Sequence, residues 1–254
     1  MSDYLERLTK ISDLENLQNK HTVGIPASKE NNAFFSIISH NIKNPFTTLI
    51  GFTDLLYEDY ELLDDVERKF YLSEIIKSAQ FTNKYLERFF EWIYYKNGKV
   101  KINIERLELN ELINYSINLI FKKFNTQNIA CDLGNQIFVK GDSESIIKII
   151  YYVLENAVLH SGSENEIIIK SQIDFFNQNV IVTIKDFGKG MSEDQIAKLF
   201  KINEDITLNS CSDTKGTGLG LILSDLLVKI NNGKISVSSK LNEGVEVKIE
   251  LPIS

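Results

Sequence analysis

The chain has 254 residues, of which 43% are hydrophobic and 25% charged, so it can bury the core of one large domain or two modest ones. Its net charge of −7 and pI near 5.2 argue against a partner with a phosphate backbone, which calls for a basic face. Cys131 and Cys211 match no metal-ligand spacing and fit a reducing compartment, no apolar run approaches the ~20 residues of a membrane span, and Met1-Ser2-Asp3-Tyr4 does not begin a signal peptide; the expectation is a soluble cytoplasmic protein or the cytoplasmic part of something larger.

Leu5, Leu8, Ile11, Leu14 and Leu17 fall at helical steps and predict a short amphipathic or coiled-coil helix over residues 4–19. Gly24 and Pro26 then break the pattern, so residues 21–32 read as a linker with Ser28 as N-cap of the next helix. In that helix Phe35, Ile38, Ile42, Leu49, Phe52 and Leu56 form the seam of a bundle, and it should run to about Tyr60. His40 faces away from the seam, four residues from Asn44 on one exposed face, where an imidazole and a carboxamide can meet the same incoming group. Pro45 removes the hydrogen bond to the Asn41 carbonyl and bends the helix one turn past His40. A lone histidine on such a face is ordinarily just solvated, and the rest of the chain has to supply the argument against that.

A turn at residues 61–65 leads to a second long helix ending near Lys96, with Leu72, Ile75, Ala79, Leu86, Phe89 and Ile93 along one stripe. A single antiparallel pair has one seam and cannot bury these side chains alone, so a homodimeric four-helix bundle is expected. The aromatic run Phe89–Tyr95 reads as bundle core and as a docking surface for the next domain, and Asn97-Gly98-Lys99 as the boundary turn.

From Val100 the pattern shifts to short strands mixed with helices. Strands are expected at 100–107, 137–139, 166–173, 179–186, 234–238 and 245–251, and helices at 110–124, from an Asp142 N-cap to about His160, 193–200 and 220–230. The sum is an α/β sandwich, with helices on one face of a mixed sheet. Three pieces of it carry chemistry. Asn156 sits at the polar edge of a helix whose buried side is Ile146, Ile149, Ile150, Val153 and Ala157, and its carboxamide oxygen is a donor suited to Mg²⁺. Asp186-Phe187-Gly188-Lys189-Gly190 puts a carboxylate at a strand end, able to accept from an exocyclic amine, with glycines that let a flat ring approach. In Lys215-Gly216-Thr217-Gly218-Leu219-Gly220-Leu221, alternate glycines expose backbone N–H groups at a helix N-terminus, a setting for a triphosphate that matches neither a Walker A motif nor a Rossmann fingerprint. Residues 201–214, rich in Asn, Asp, Ser and Thr, read as a lid.

The stretch Ser39-His40-Asn41-Ile42-Lys43-Asn44-Pro45 resembles the H-box of sensor histidine kinases, and the three later pieces resemble the N-, G1- and G2-boxes of the ATPase superfamily shared by those kinases, DNA gyrase and MutL. The resemblance implies a dimerisation and phosphoacceptor hairpin followed by a Bergerat-type ATP-binding domain, divided as 1–27, 28–98 and 99–254. It implies His40 as acceptor of the γ-phosphoryl group of ATP and Asn44 as the residue that orients water for dephosphorylating a response regulator. Asn156 would bind Mg²⁺, Asp186 would pair with the adenine amine, Gly188 and Gly190 would shape the adenine wall, and Gly216, Thr217, Gly218, Leu219 and Gly220 would lie near the phosphates. Asn41, Tyr152, Leu159 and Val245 depart from the family pattern, which more often has an acid, an asparagine, a phosphate-contacting cation and a threonine there. Two other readings remain open at this point: a nucleotide-binding scaffold or response-regulator phosphatase of weakened kinase activity, and a gyrase-type ATPase that drives conformational change.

Overall fold

The computed structural model describes residues 29–124, 128–162, 165–200 and 216–254, and the side chains of residues 29–37, His40 and Lys198 lie outside that description. The expected N-terminal helix, the Ser28 cap and the 201–214 lid also lie outside it. Helix α1 (Lys29–Glu58) and helix α2 (Asp65–Lys96) form the hairpin. Asp64 caps α2 by accepting from the backbone N–H groups of Val66 and Glu67, while Glu67 accepts from the Asp64 N–H, so three of the free N–H groups at the helix start are used. Arg68 closes the turn with Nε and Nη2 on the Tyr60 carbonyl at 3.0 and 2.6 Å. Pro45 lies inside α1, and its carbonyl accepts from Ser78 Oγ at 2.6 Å across the hairpin.

The second unit runs β1 (Glu105–Glu108), α3 (Leu109–Phe124), β2 (Ile129–Leu133), β3 (Phe138–Gly141), α4 (Ser143–Ser161), β4 (Ile167–Asp174), β5 (Asn179–Lys185), α5 (Glu193–Lys198), α6 (Leu219–Ile230), β6 (Lys234–Lys240) and β7 (Gly244–Pro252). A five-stranded sheet has the order β2-β4-β5-β7-β6, parallel at β2–β4 and antiparallel elsewhere, which is the mixed sheet expected. Two expectations needed correction. The strand expected from Val100 begins only at Glu105, because its antiparallel partner β3 offers four residues, Phe138–Gly141, and the Asn103 N–H is taken instead by Asp142 Oδ2 at 3.0 Å. Strand β2 was not expected at all. It is an edge strand in which Cys131 and Asp132 are exposed, so its composition carries little of the apolar signal of a buried strand.

Helices α3, α4 and α6 share one core with the sheet, built on Ile113, Ile120, Ile146, Ile149, Leu154, Ile169, Val182, Ile184, Leu223 and Ile249. The Asp142 cap forms as expected, accepting from the Ser145 N–H at 2.8 Å. Asn231 ties α6 to it, with Oδ1 accepting from the Asp142 N–H at 2.7 Å and Nδ2 donating to Ser145 Oγ at 2.8 Å.

Candidate functional site

Helix α4 is the rail along which the site is laid. Tyr152, Asn156, Leu159 and His160 are spaced four, three and one residues apart, so they follow one helix face. At the C-terminal end of α4, the loop after β5 closes against the helix. A Cβ on Gly188 would fall 2.1 Å from the His160 carbonyl oxygen, and one on Gly190, whose φ is +64°, would fall 1.9 Å from that of Lys240. These glycines were expected to make room for a ring. In the fold they also let three backbone segments meet.

The same closure sets Asp186 in place. Its carboxylate is buried at 5% exposure and accepts from the N–H groups of Gly188 at 2.9 Å and Val245 at 3.2 Å. Both donors fall on Oδ1, and Oδ2 takes neither. Burial raises the Asp186 pKa above the ordinary range, against the pull of the two N–H groups. Val245 therefore takes part through its backbone, which makes the identity of its side chain secondary. Asn165 fastens the loop by donating from Nδ2 to the Phe187 carbonyl at 3.0 Å.

The glycine-rich segment lies alongside α4. A Cβ on Gly216 would sit 3.5 Å from Leu159 Cδ1 and 3.6 Å from Asn156 Oδ1; one on Gly220 would sit 3.6 Å from Asn156 Nδ2 and 3.7 Å from Tyr152 Cβ. These are ordinary contact distances, so the protein itself has space for side chains here, in contrast to Gly188 and Gly190. The cradle that the glycines hold open faces a carboxamide and the N-terminus of α6, which starts at Leu219 after Gly218 with φ +72°. Among the described residues no group of three or more His, Cys, Asp or Glu side chains could hold a metal, and the Asn156 carboxamide puts a hard oxygen beside the glycine segment.

The hairpin reaches into this arrangement. Leu219 and Ile222, in the first turn of α6, are buried in one cluster with Ile38 of α1 and Tyr85 and Phe89 of α2. Asn41, 1% exposed, donates from Nδ2 to the Tyr85 hydroxyl at 3.3 Å, and Asn44 is exposed. The turn of α1 that carries His40 is thus packed against the helix that the glycine loop opens, although the His40 side chain lies outside the described residues. Phe89 and Tyr95 are buried and Trp92 packs against both cores, as a docking surface should, whereas Phe90 and Tyr94 stay about half exposed.

The charged seam between α2 and α4 is not legible in the sequence. Glu155 is fully buried and pairs with Arg88 Nη2, with Lys84 Nζ at 2.8 Å and, from α3, with Lys123 Nζ at 2.8 Å. Burial would raise its pKa, but the Arg88 charge and the two lysine hydrogen bonds outweigh that and hold it at about 2. Lys84 is pushed below its ordinary range by burial and by the neighbouring Arg88 charge. One turn along, Tyr152 donates to Glu91 Oε2, and Lys148 bridges Glu91 at 2.9 Å and the Tyr95 hydroxyl at 3.3 Å. The helical spacing of Lys84, Arg88, Glu91 and Tyr95 was visible in the sequence, but it reads equally as a solvated polar face.

Fold and site together describe a helical hairpin joined to an α/β domain with a glycine-lined cradle at their junction. The family profile described as "His Kinase A (phospho-acceptor) domain" matches residues 30–93, and that described as "Histidine kinase-, DNA gyrase B-, and HSP90-like ATPase" matches residues 141–254. The chain belongs to the sensor histidine kinase family. It is 26% identical over 250 residues to the cell-division control histidine kinase PdhS of Brucella canis, covering 94% of this chain and 24% of that protein. It is 22% identical over 232 residues to the "Non-motile and phage-resistance protein" of Caulobacter vibrioides, covering 89% of this chain and 28% of that protein. The chain thus spans about a quarter of the length of these curated relatives. Its fold is shared with the histidine kinase AdeS of Acinetobacter baumannii (TM-score 0.62, 19% identity, 85% of this chain and 98% of that one). It is also shared with the histidine kinase ThkA, solved in complex with the response regulator protein TrrA (TM-score 0.67, 20% identity, 100% of this chain and 67% of that one). No helix among the described residues is long and apolar enough to cross a membrane.

Proposed function

We propose that this chain is the kinase core of a two-component system, which transfers the γ-phosphoryl group of ATP to His40 and from there to an aspartate of a response regulator. The observation that carries the reading is the shared cluster of Ile38, Tyr85, Phe89, Leu219 and Ile222, which packs the turn of α1 that holds His40 against the helix opened by the glycine loop. The division is a hairpin over 28–98 and a catalytic domain over 99–254, working in the cytoplasm where ATP and receiver domains are found.

In this reading Asp186 Oδ2 accepts from the adenine amine while Oδ1 stays on its two backbone donors. Gly216, Thr217, Gly218, Leu219 and Gly220 present N–H groups and the α6 N-terminus to the phosphates. Asn156 Oδ1 would hold Mg²⁺, which when bound neutralises phosphate charge. An imidazole nitrogen of His40 then attacks the γ-phosphorus in line: the new N–P bond forms, the bond to the bridging oxygen breaks, ADP leaves, and the ring gives up its other proton to water. Asn41 cannot take that proton, being a carboxamide buried against Tyr85. That feature favours a second reading, in which slow phosphorylation is balanced by dephosphorylation of the response regulator through exposed Asn44.

Phe46, Ile50, Leu72 and Ile76 are each 44–55% exposed on the hairpin, an apolar surface that a second copy covers in a four-helix bundle. Incubation with γ-labelled ATP tests the proposal. Acid-labile label on the chain that is lost in His40→Gln supports the kinase; nucleotide binding without label supports the phosphatase reading; and steady phosphate release that is unchanged by His40→Gln supports a gyrase-type ATPase.

A further inference from the structure

Leu159, whose Cδ1 lies 3.5 Å from the Cβ position of Gly216, brings no charge to the glycine cradle from α4. A guanidinium reaches the same cradle from the other domain. Arg88 of α2 is 5% exposed, and its Nη1 donates to Thr217 Oγ1 at 2.7 Å. That nitrogen is also 3.6 Å from the Cβ position of Gly220, the same distance at which Asn156 Nδ2 lies from that point. Its other terminal nitrogen is anchored by Glu155, and the guanidinium carbon stands 4.9 Å from the centroid of the Tyr152 ring, so the fork is fixed in direction.

We propose that Arg88, supplied by the hairpin, is a phosphate-binding residue that recognises the terminal phosphate of the nucleotide. The inference rests on the nucleotide-site reading given above. Glu155 keeps Nη2 while Nη1 exchanges a neutral hydroxyl for a phosphate oxygen, a stronger, charge-assisted acceptor. A burial that leaves one face of a guanidinium on a weak acceptor beside Asn156 and the α6 N-terminus is poorly used by the protein alone. Because α2 also packs on the His40 turn of α1 through Tyr85 and Phe89, a triphosphate held by Arg88 is drawn toward the acceptor helix, and a diphosphate is not. Arg88 thereby links nucleotide state to the docking of the two domains.

The test is calorimetric titration of the full chain, in Mg²⁺ buffer, with a non-hydrolysable ATP analogue and separately with ADP. The expected result is a triphosphate preference that Arg88→Ala reduces about tenfold, with ADP affinity unchanged. Since Arg88→Ala strips Glu155 of its main partner and can disturb folding, the neutral pair Arg88→Met with Glu155→Gln is measured alongside and should show the same selective loss. Adding Leu159→Arg to either variant should restore the preference, which a merely structural Arg88 does not allow. Equal weakening of both nucleotides, no change in either, or failure of Leu159→Arg to rescue overturns the proposal for Arg88. Absence of binding of both nucleotides to the unsubstituted chain instead overturns the nucleotide-site reading on which it rests.

Discussion

The Tyr152 phenol on α4 donates to the Glu91 carboxylate on α2, sixty-one residues earlier, and so fastens the α/β domain to the hairpin. Burial, followed by the neighbouring Glu91 charge, raises the Tyr152 pKa, and the hydroxyl therefore keeps its proton and remains a donor at all working pH values. Tyr152→Phe retains the ring beneath Arg88 and removes only this bond. It should weaken domain docking by about 1–3 kcal/mol, seen as faster proteolysis of the exposed Asn97–Lys99 link with little change in the melting of the α/β core.

Glu155 should show itself in acid. A carboxylate whose pKa is held down to about 2 contributes stability that is complete above its unfolded value near 4.5 and is lost as the pH falls through 2. The depression corresponds to about 3 kcal/mol. Glu155→Gln should therefore lower the denaturation midpoint at pH 7, and the gap from the unsubstituted chain should close progressively between pH 4.5 and 2. A gap independent of pH over that range contradicts the charge-pair account.

At Asp186 the sign is opposite. Burial raises this pKa, so the native state carries a penalty for the ionised carboxylate at neutral pH, relieved as the pH falls through the raised value. Asp186→Asn keeps an Oδ1 for both the Gly188 and Val245 donors. It should melt at a higher temperature than the unsubstituted chain without ligand, yet bind adenine nucleotides at least tenfold more weakly, because an amide N–H then faces the adenine amine. Thermal melts with and without nucleotide measure both effects together.

The glycines should divide into two groups. Gly188→Ala and Gly244→Ala place a Cβ 2.1 Å from the His160 carbonyl oxygen and 2.0 Å from that of Asp186, contacts with backbone that cannot rotate away. Each should cost about 3 kcal/mol or more, and Gly244, at φ +83°, adds backbone strain. Gly216→Ala meets only side-chain atoms at 3.5 Å and beyond. Its stability should be unchanged or raised by up to about 1 kcal/mol, while nucleotide affinity falls.

The periodicity of Ile38, Ile42, Leu49, Phe52 and Leu56, the Asp142 cap, the carboxylate at the end of β5 and the alternating glycines all express local rules of chain geometry, and each could be read along the sequence. So could the unequal roles of hairpin and α/β domain, since helix and strand periods differ over a dozen residues. What the sequence did not disclose were the meetings of residues far apart in it: Arg88 with Glu155 and Thr217, Tyr152 with Glu91, Asn41 with Tyr85. A charged residue at helical spacing looks the same whether it faces water or a partner domain, because its own backbone preferences are indifferent to the choice. Only docking of α2 against α4 and α6 removes that water, and desolvation makes each of these side chains need one particular partner.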